Sequence, residues 1–204
     1  MDPRLVKAAE EAIGFMPENE GLALHRAALA AARWGPLLEV GSYCGKSAIY
    51  LGAAAQECGS VLFTVDHHRG SEENQPGGPY HDPRLVDDAG RVDTFPHLRD
   101  ALAGAELEDV VVAIVGRSAT VARHWHTTLA MLFIDGGHSQ AAVDADYDGW
   151  APHVMPGGVL AIHDVFPDPA DGGRPPFVVF QRVLASGGFE EIEAEGSLRI
   201  LRRR

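Results

Sequence analysis

Leu37-Leu38-Glu39-Val40-Gly41-Ser42-Tyr43-Cys44-Gly45-Lys46-Ser47, followed one helix length later by Val61-Leu62-Phe63-Thr64-Val65-Asp66, decides the fold. An apolar run that closes on Glu39 and Gly41 reads as a buried parallel strand feeding a tight loop. Gly41 and Gly45 let the backbone turn and let a ligand come close to main-chain N–H groups. The next strand carries Asp66 to the same sheet edge, where a carboxylate accepts both hydroxyls of a ribose. The unit is strand, glycine turn, helix, strand, acid, and it implies a nucleoside-type ligand near residue 41.

Three ligands compete for that turn. A P-loop sets four residues between its first glycine and the Gly-Lys pair. Here there are three, Ser42-Tyr43-Cys44, so the loop is one residue short of wrapping a phosphate chain. A dinucleotide turn needs a second glycine where the pyrophosphate approaches, and Tyr43 stands there. The third ligand has no phosphate. Glu39-x-Gly41-x-x-x-Gly45-x-Ser47, with Asp66 at the next strand end, resembles the S-adenosylmethionine motif of class I methyltransferases.

Working outward, the pattern predicts strands at 36–40, 61–66, 110–115, 129–135 and 158–163. Helices are predicted at 45–58, 93–103, 139–150 and 177–185. The segments 189–195 and 197–201 alternate about Gly196 as a hairpin does. Parallel α/β units closed by such a hairpin match the seven-stranded, mostly parallel, Rossmann-like methyltransferase sheet. Residues 2–33 read as two helical segments broken at Gly14-Phe15-Met16-Pro17, and that break would fold over the sheet edge and bring Met16 to the cofactor. Residues 67–91 form a long polar segment rich in Gly and Pro directly after Asp66, read as a mobile lid over the site. The whole of 1–204 is expected to be one domain.

Composition narrows the partners. The formal net charge is −12, which disfavours a nucleic-acid backbone as substrate. The Arg202-Arg203-Arg204 cluster reads as a solvated tail. No apolar run is long enough to span a bilayer, Met1-Asp2-Pro3-Arg4 has no signal-peptide pattern, and Cys44 and Cys58 make no disulfide framework. A cytoplasmic protein is expected. The alanine-rich N-terminal helices suggest a homodimer.

A second constellation carries the chemistry: Phe133-Ile134-Asp135-Gly136-Gly137-His138-Ser139, then Pro156-Gly157-Gly158-Val159-Leu160-Ala161-Ile162-His163-Asp164. Asp135 and Asp164 end neighbouring strands, and ligands of open α/β sheets bind beyond those ends. Two carboxylates there suit a hard divalent cation. The pairing of Phe-Ile-Asp-Gly-x-His-Ser with Pro-Gly-Gly-x-x-x-x-His-Asp resembles the metal-dependent small-molecule and sugar O-methyltransferases of the class I fold, over residues 36–165. Within that family the length and the 67–74 stretch are most similar to the actinobacterial mannoside 1-O-methyltransferases of methylmannose polysaccharide synthesis.

The resemblance implies roles. Glu39, Gly41, Ser42 and Ser47 hold the methionine portion of S-adenosylmethionine, Asp66 the ribose, and Ser118 lies near the adenine, with Asp135 bordering the cofactor. Asp135 and Asp164 bind Mg²⁺, and His138 is the general base. Family members carry Glu-Asp where this chain has His163-Asp164, so His163 is a candidate third ligand, one that would favour a softer ion. Adjacent strand residues point to opposite faces, so a strand running through 164 would offer the metal only one of the pair. His67 and His68 are candidate substrate contacts. Asp144 and Asp146 read as solvated helix residues, and Trp150 and Trp34 as core. The polar, His-rich lid favours a saccharide acceptor over a phenol. A non-catalytic S-adenosylmethionine-binding protein would have no use for the base and the metal.

Overall fold

The computed structural model of the chain describes residues 1–204. Seven strands form one sheet: β1 (Leu37–Val40), β2 (Leu62–Asp66), β3 (Val111–Val115), β4 (Leu129–Ile134), β5 (Val154–Ile162), β6 (Phe189–Glu195) and β7 (Leu198–Arg203). Their order is β3-β2-β1-β4-β5-β7-β6. Strands β1 to β5 pair in parallel, β7 is antiparallel to β5, and β6 antiparallel to β7, so β7 alone runs against the rest. The chain order reverses between β1 and β4, and a crevice opens beyond the carboxyl ends at such a switch point.

Alternation along the strands divides the core. Leu37, Met131 and Phe133 face a layer of α1 (Pro3–Glu11), α2 (Glu18–Ala32), α3 (Lys46–Cys58) and α4 (Phe95–Gly104). Leu38, Leu132 and Ile134 face α5 (Ser118–Ala122), α6 (Gln140–Trp150) and α7 (Pro175–Ala185). Small residues let the first layer lie close. A Cβ on Gly21 would meet the Tyr50 ring at 2.3 Å, so this glycine lets α2 pack directly on α3. No helix is long and apolar enough to cross a membrane.

Several sequence readings are corrected. β5 begins at Val154, four residues early, because the Pro156-Gly157-Gly158 stretch bulges within the pairing: Leu129 faces Val154 while Met131 already faces Val159. A bulge accommodates a proline that has no N–H to donate. The short helix α5 was not anticipated, and α7 starts at Pro175, where a first-turn proline loses no hydrogen bond. The terminal arginines are not a free tail. Arg202 and Arg203 belong to β7, and the Arg203 guanidinium donates to the carbonyls of Ala151, Pro152 and Val154. Trp34 is 72% exposed rather than core, whereas Trp150 is fully buried.

The segment 67–91 folds against the carboxyl edge. It contains short 3₁₀ turns at Glu72–Asn74 and Pro83–Leu85 and a bridge between Val86 and Val92. Arg69 lies between Asp87 and Asp93 at 3.4 and 3.5 Å and also donates to the Val92 carbonyl, joining the two ends of the loop.

Candidate active site

The β1–α3 turn is built by conformations that side chains avoid. Gly41 and Gly45 have φ of 91° and 95°, and Tyr43 between them has φ 46°. A Cβ on Gly41 would lie 2.1 Å from the Asp135 carbonyl oxygen, so the turn lies directly against the end of β4. Asp66 holds this geometry. Its carboxylate accepts the N–H of Tyr43 at 2.9 Å and of His68 at 2.8 Å. Both are non-glycine residues with positive φ, a conformation that costs about 1–3 kcal/mol each. Each Asp66 oxygen keeps a lone pair for a ligand hydroxyl.

Behind the turn Glu39 is fully buried and accepts a 2.6 Å bond from the Thr64 hydroxyl. Burial pushes its carboxyl up to about 7, against the opposing pull of Ser47 and Thr64. Glu39 Oε1 and the buried Ser42 hydroxyl have no partner in the protein. Two orphaned polar atoms beside a glycine turn fit a ligand that brings its own donors and acceptors, as the amino-acid end of S-adenosylmethionine does. Ser118 opens α5 at the end of β3 and accepts the Trp150 indole N–H at 2.8 Å. Met16 is buried in the core among the N-terminal helices, while its neighbour Phe15 lies ring to ring with Tyr43 of the turn and Gly14 lies against Lys46.

Beyond β4 and β5 the acidic and imidazole groups interlock. β5 ends at Ile162, and Asp164 takes φ 55°, which breaks strand alternation and lets His163 and Asp164 both turn toward Asp135. His163 Nδ1 lies 3.0 Å from Asp135 and 3.6 Å from Asp164, and its Nε2 lies 2.6 Å from Glu20. His138 Nε2 lies 2.9 Å from Asp164, and its Nδ1 3.1 Å from Glu73 of the lid segment. Ionised carboxylates only accept, so every one of these ring nitrogens donates. The hydrogen bond to Asp164 is the main force that holds His138 up to about 9, against burial. Burial opposes charge on His163 too, but Asp135 and Glu20 outweigh it and raise it well above the usual range. For Asp164 burial is likewise outweighed, by the two histidines, and its carboxyl is lowered.

Four carboxylates therefore face two imidazolium rings, an excess of two negative charges. Asp135, His138 and Asp164 bring side-chain atoms within 4.8 Å of one another, and the two carboxylates fit a divalent cation, while the doubly donating His138 ring has no lone pair to offer it. His163 lies outside that trio, held between Asp135 and Glu20. His68 also points away, with Nδ1 2.7 Å from the Thr94 hydroxyl and its ring near Phe95. His67 is exposed and accepts the Arg69 N–H.

Three groups at the site escaped the sequence reading. Glu20 and Glu73 sit in segments with no chemical motif. Asp146, read as solvated, is buried between Ser118 and Gly136, where a Cβ would lie 2.7 Å from its carboxylate. It lies one helical turn before Trp150, and that shared face was the available signal. Burial pushes its carboxyl up to about 6, partly offset by Ser118.

Residues 38–165 match a family model described as a methyltransferase domain. The chain belongs to that family, and its fold and turn are those of a class I S-adenosylmethionine-dependent methyltransferase. Among solved structures it resembles the O-methyltransferase of Bacillus cereus in complex with S-adenosylhomocysteine, at TM-score 0.67 and 15% identity, over 100% of this chain and 92% of that one. It also resembles TomG, the O-methyltransferase of Streptomyces achromogenes involved in tomaymycin synthesis, in complex with S-adenosylmethionine. That match has TM-score 0.66 and 18% identity, over 100% and 90% of the two chains.

Proposed function

We propose that the chain transfers a methyl group from S-adenosylmethionine to a saccharide hydroxyl, with a divalent cation held by Asp135 and Asp164 and with His138 as the base. One observation carries this reading: the cofactor turn and the candidate cation site share Asp135, whose carbonyl lies against Gly41 and whose side chain belongs to the Asp135–His138–Asp164 trio. A cofactor methyl and a chelated hydroxyl would then be neighbours. That both structural relatives above are named O-methyltransferases supports oxygen as the accepting atom.

When bound, S-adenosylmethionine supplies an electrophilic methyl and the cation supplies charge that acidifies a hydroxyl. The protein's part is alignment and proton removal. Asp135 and Asp164 fix the acceptor end, and Glu39, the Gly41 turn and Asp66 fix the donor end. His138 stands beside Asp164, within reach of an oxygen at that carboxylate. Held between Asp164 and Glu73 it keeps a proton, so it accepts one only when Asp164 is engaged elsewhere.

The cleft next to the turn, which none of Asp135, His138 and Asp164 lines, bears on the non-reacting part of the acceptor. A space of about 500 Å³ is bounded by Phe15, Tyr43 and Tyr80 together with His81, Asp82 and Arg84. Phe15 lies 5.9 Å from Tyr43 and 5.3 Å from Tyr80, ring to ring. The C–H face of a sugar stacks on such rings while its hydroxyls meet the polar wall. The same rings favour the second reading, a phenolic acceptor. The test is transfer from labelled S-adenosylmethionine to partly methylated mannosides and, in parallel, to catechols, with Mg²⁺ and with EDTA. Mannoside product abolished by EDTA supports the reading. Catechol product alone selects the second one, and turnover indifferent to EDTA removes the cation.

A further inference from the structure

Glu20 belongs to the N-terminal helix α2, far in sequence from every motif of the site, yet it is 4% exposed and touches His163, itself 5% exposed. Its carboxylate is fully occupied. Oε1 accepts the Ser197 N–H at 2.7 Å, and Oε2 accepts the Ser197 hydroxyl at 3.1 Å and His163 Nε2 at 2.6 Å. Gly196 makes room: its φ is 53°, and a Cβ there would lie 2.0 Å from Glu20 Oε1. Asn19 ties the same helix to the same hairpin through Glu195 at 2.6 Å.

A buried carboxylate–imidazole pair is a poor stabiliser, because desolvation offsets most of its attraction. What the arrangement does supply is direction. An imidazole bonded at both nitrogens cannot rotate, and the second nitrogen of His163 is on Asp135 Oδ1 at 3.0 Å. The other Asp135 oxygen has no hydrogen bond from the protein. A carboxylate aimed by an imidazole, itself aimed by a second carboxylate, is the arrangement that orients metal ligands from behind.

We propose that Glu20 and His163 are positioning residues that orient Asp135 toward a divalent cation, and that His163 is not itself a ligand. This rests on the cation reading above. The chain then reaches from the β6–β7 turn through α2 to the end of β4, and the N-terminal helix is part of the site's construction.

Calorimetric titration of Mn²⁺ into the full chain, without S-adenosylmethionine or acceptor, tests it. Wild type takes up one ion, and Asp135→Asn abolishes uptake. Glu20→Gln and His163→Gln each weaken Mn²⁺ by about ten-fold or more. The double variant is no weaker than His163→Gln alone, because both changes break one chain. Asn19→Ala, which cuts the adjacent helix–hairpin tie, leaves Mn²⁺ affinity unchanged, and Glu20→Gln, His163→Gln and Asn19→Ala retain S-adenosylmethionine affinity. Wild-type Mn²⁺ affinity in Glu20→Gln, independent losses in the double variant, or an equal loss in Asn19→Ala overturns the proposal. If wild type shows no Asp135-dependent uptake, the cation reading fails and takes the proposal with it, a pattern distinct from the others. Should Glu20→Gln not fold, Ser197→Ala removes one bond from the same carboxylate and is expected to shift Mn²⁺ affinity in the same direction by less.

Discussion

The cofactor turn and the acid–histidine cluster meet at Asp135, but they are assembled differently. The turn is local: Glu39, Gly41, Ser42, Tyr43 and Ser47 lie in one short run, and Asp66 is one helix away. The cluster draws Glu20 from α2, Glu73 from the lid segment, Asp135 and His138 from beyond β4, and His163 and Asp164 from beyond β5. The turn depends on backbone geometry that few residues tolerate. The cluster depends on charges that only the folded chain brings together. Damage to the first is therefore expected to appear in folding and cofactor binding, and damage to the second in turnover and cation binding.

The largest effect should come from His138, the proton acceptor proposed for the cluster. His138→Ala is expected to lower kcat by about 10²–10⁴ while leaving S-adenosylmethionine affinity intact, checked by steady-state kinetics and calorimetry. A parallel loss of cofactor affinity would mean that the two regions are not separable. Gly41→Ala breaks the other side. With φ 91° and a Cβ 2.1 Å from the Asp135 carbonyl, it should destabilise the fold by about 3 kcal/mol or more and abolish cofactor binding, read from urea unfolding.

Asp146 tests the seam near Ser118. Its carboxyl is pushed from 3.8 up to about 6 by burial, so between those values the folded state binds the proton more tightly than the unfolded one. Stability from this group is therefore present at low pH and is lost as pH rises through about 6, by at most about 3 kcal/mol. Asp146→Asn removes that loss. Its advantage over wild type in urea midpoint should be larger at pH 7.5 than at pH 4.5, and an equal difference at both would refute the assignment. The smallest effect is expected for Trp150→Phe. It removes the indole N–H bonded to the Ser118 hydroxyl, which keeps Asp146 as a partner, and trims a fully buried ring, at a cost of about 1–2 kcal/mol in thermal unfolding.

Legibility follows the same division. The sheet could be read because β1, β2 and β4 are apolar runs ended by Glu39-x-Gly41, Asp66 and Asp135, and the terminal hairpin because Gly196 punctuates alternation. The β5 start was missed because Pro156-Gly157-Gly158 normally stops a strand, and here it bulges within one. Arg203 looked like a tail because its partners, the carbonyls of Ala151, Pro152 and Val154, are invisible in a pattern of side chains. Asp146 looked solvated because its neighbours Asp144 and Asp148 are, each paired with Arg182 on the outer face of α6.

The sequence alone determined the class I sheet, the glycine turn with Asp66, and the placing of Asp135, His138, His163 and Asp164 beyond adjacent strands. The strands, the turn and the strand ends follow from periodicity and spacing along continuous runs, and the strand order that makes those ends neighbours follows from the resemblance to the methyltransferase fold. Only the tertiary structure decided that Asp164 leaves the strand at positive φ and that His163 turns to Asp135 and Glu20. It also decided that Glu73 reaches His138. The reason is physical: hydrogen bonds and Coulomb forces act over a few ångströms of space, and nothing in local propensity records which distant carboxylate will fill that space.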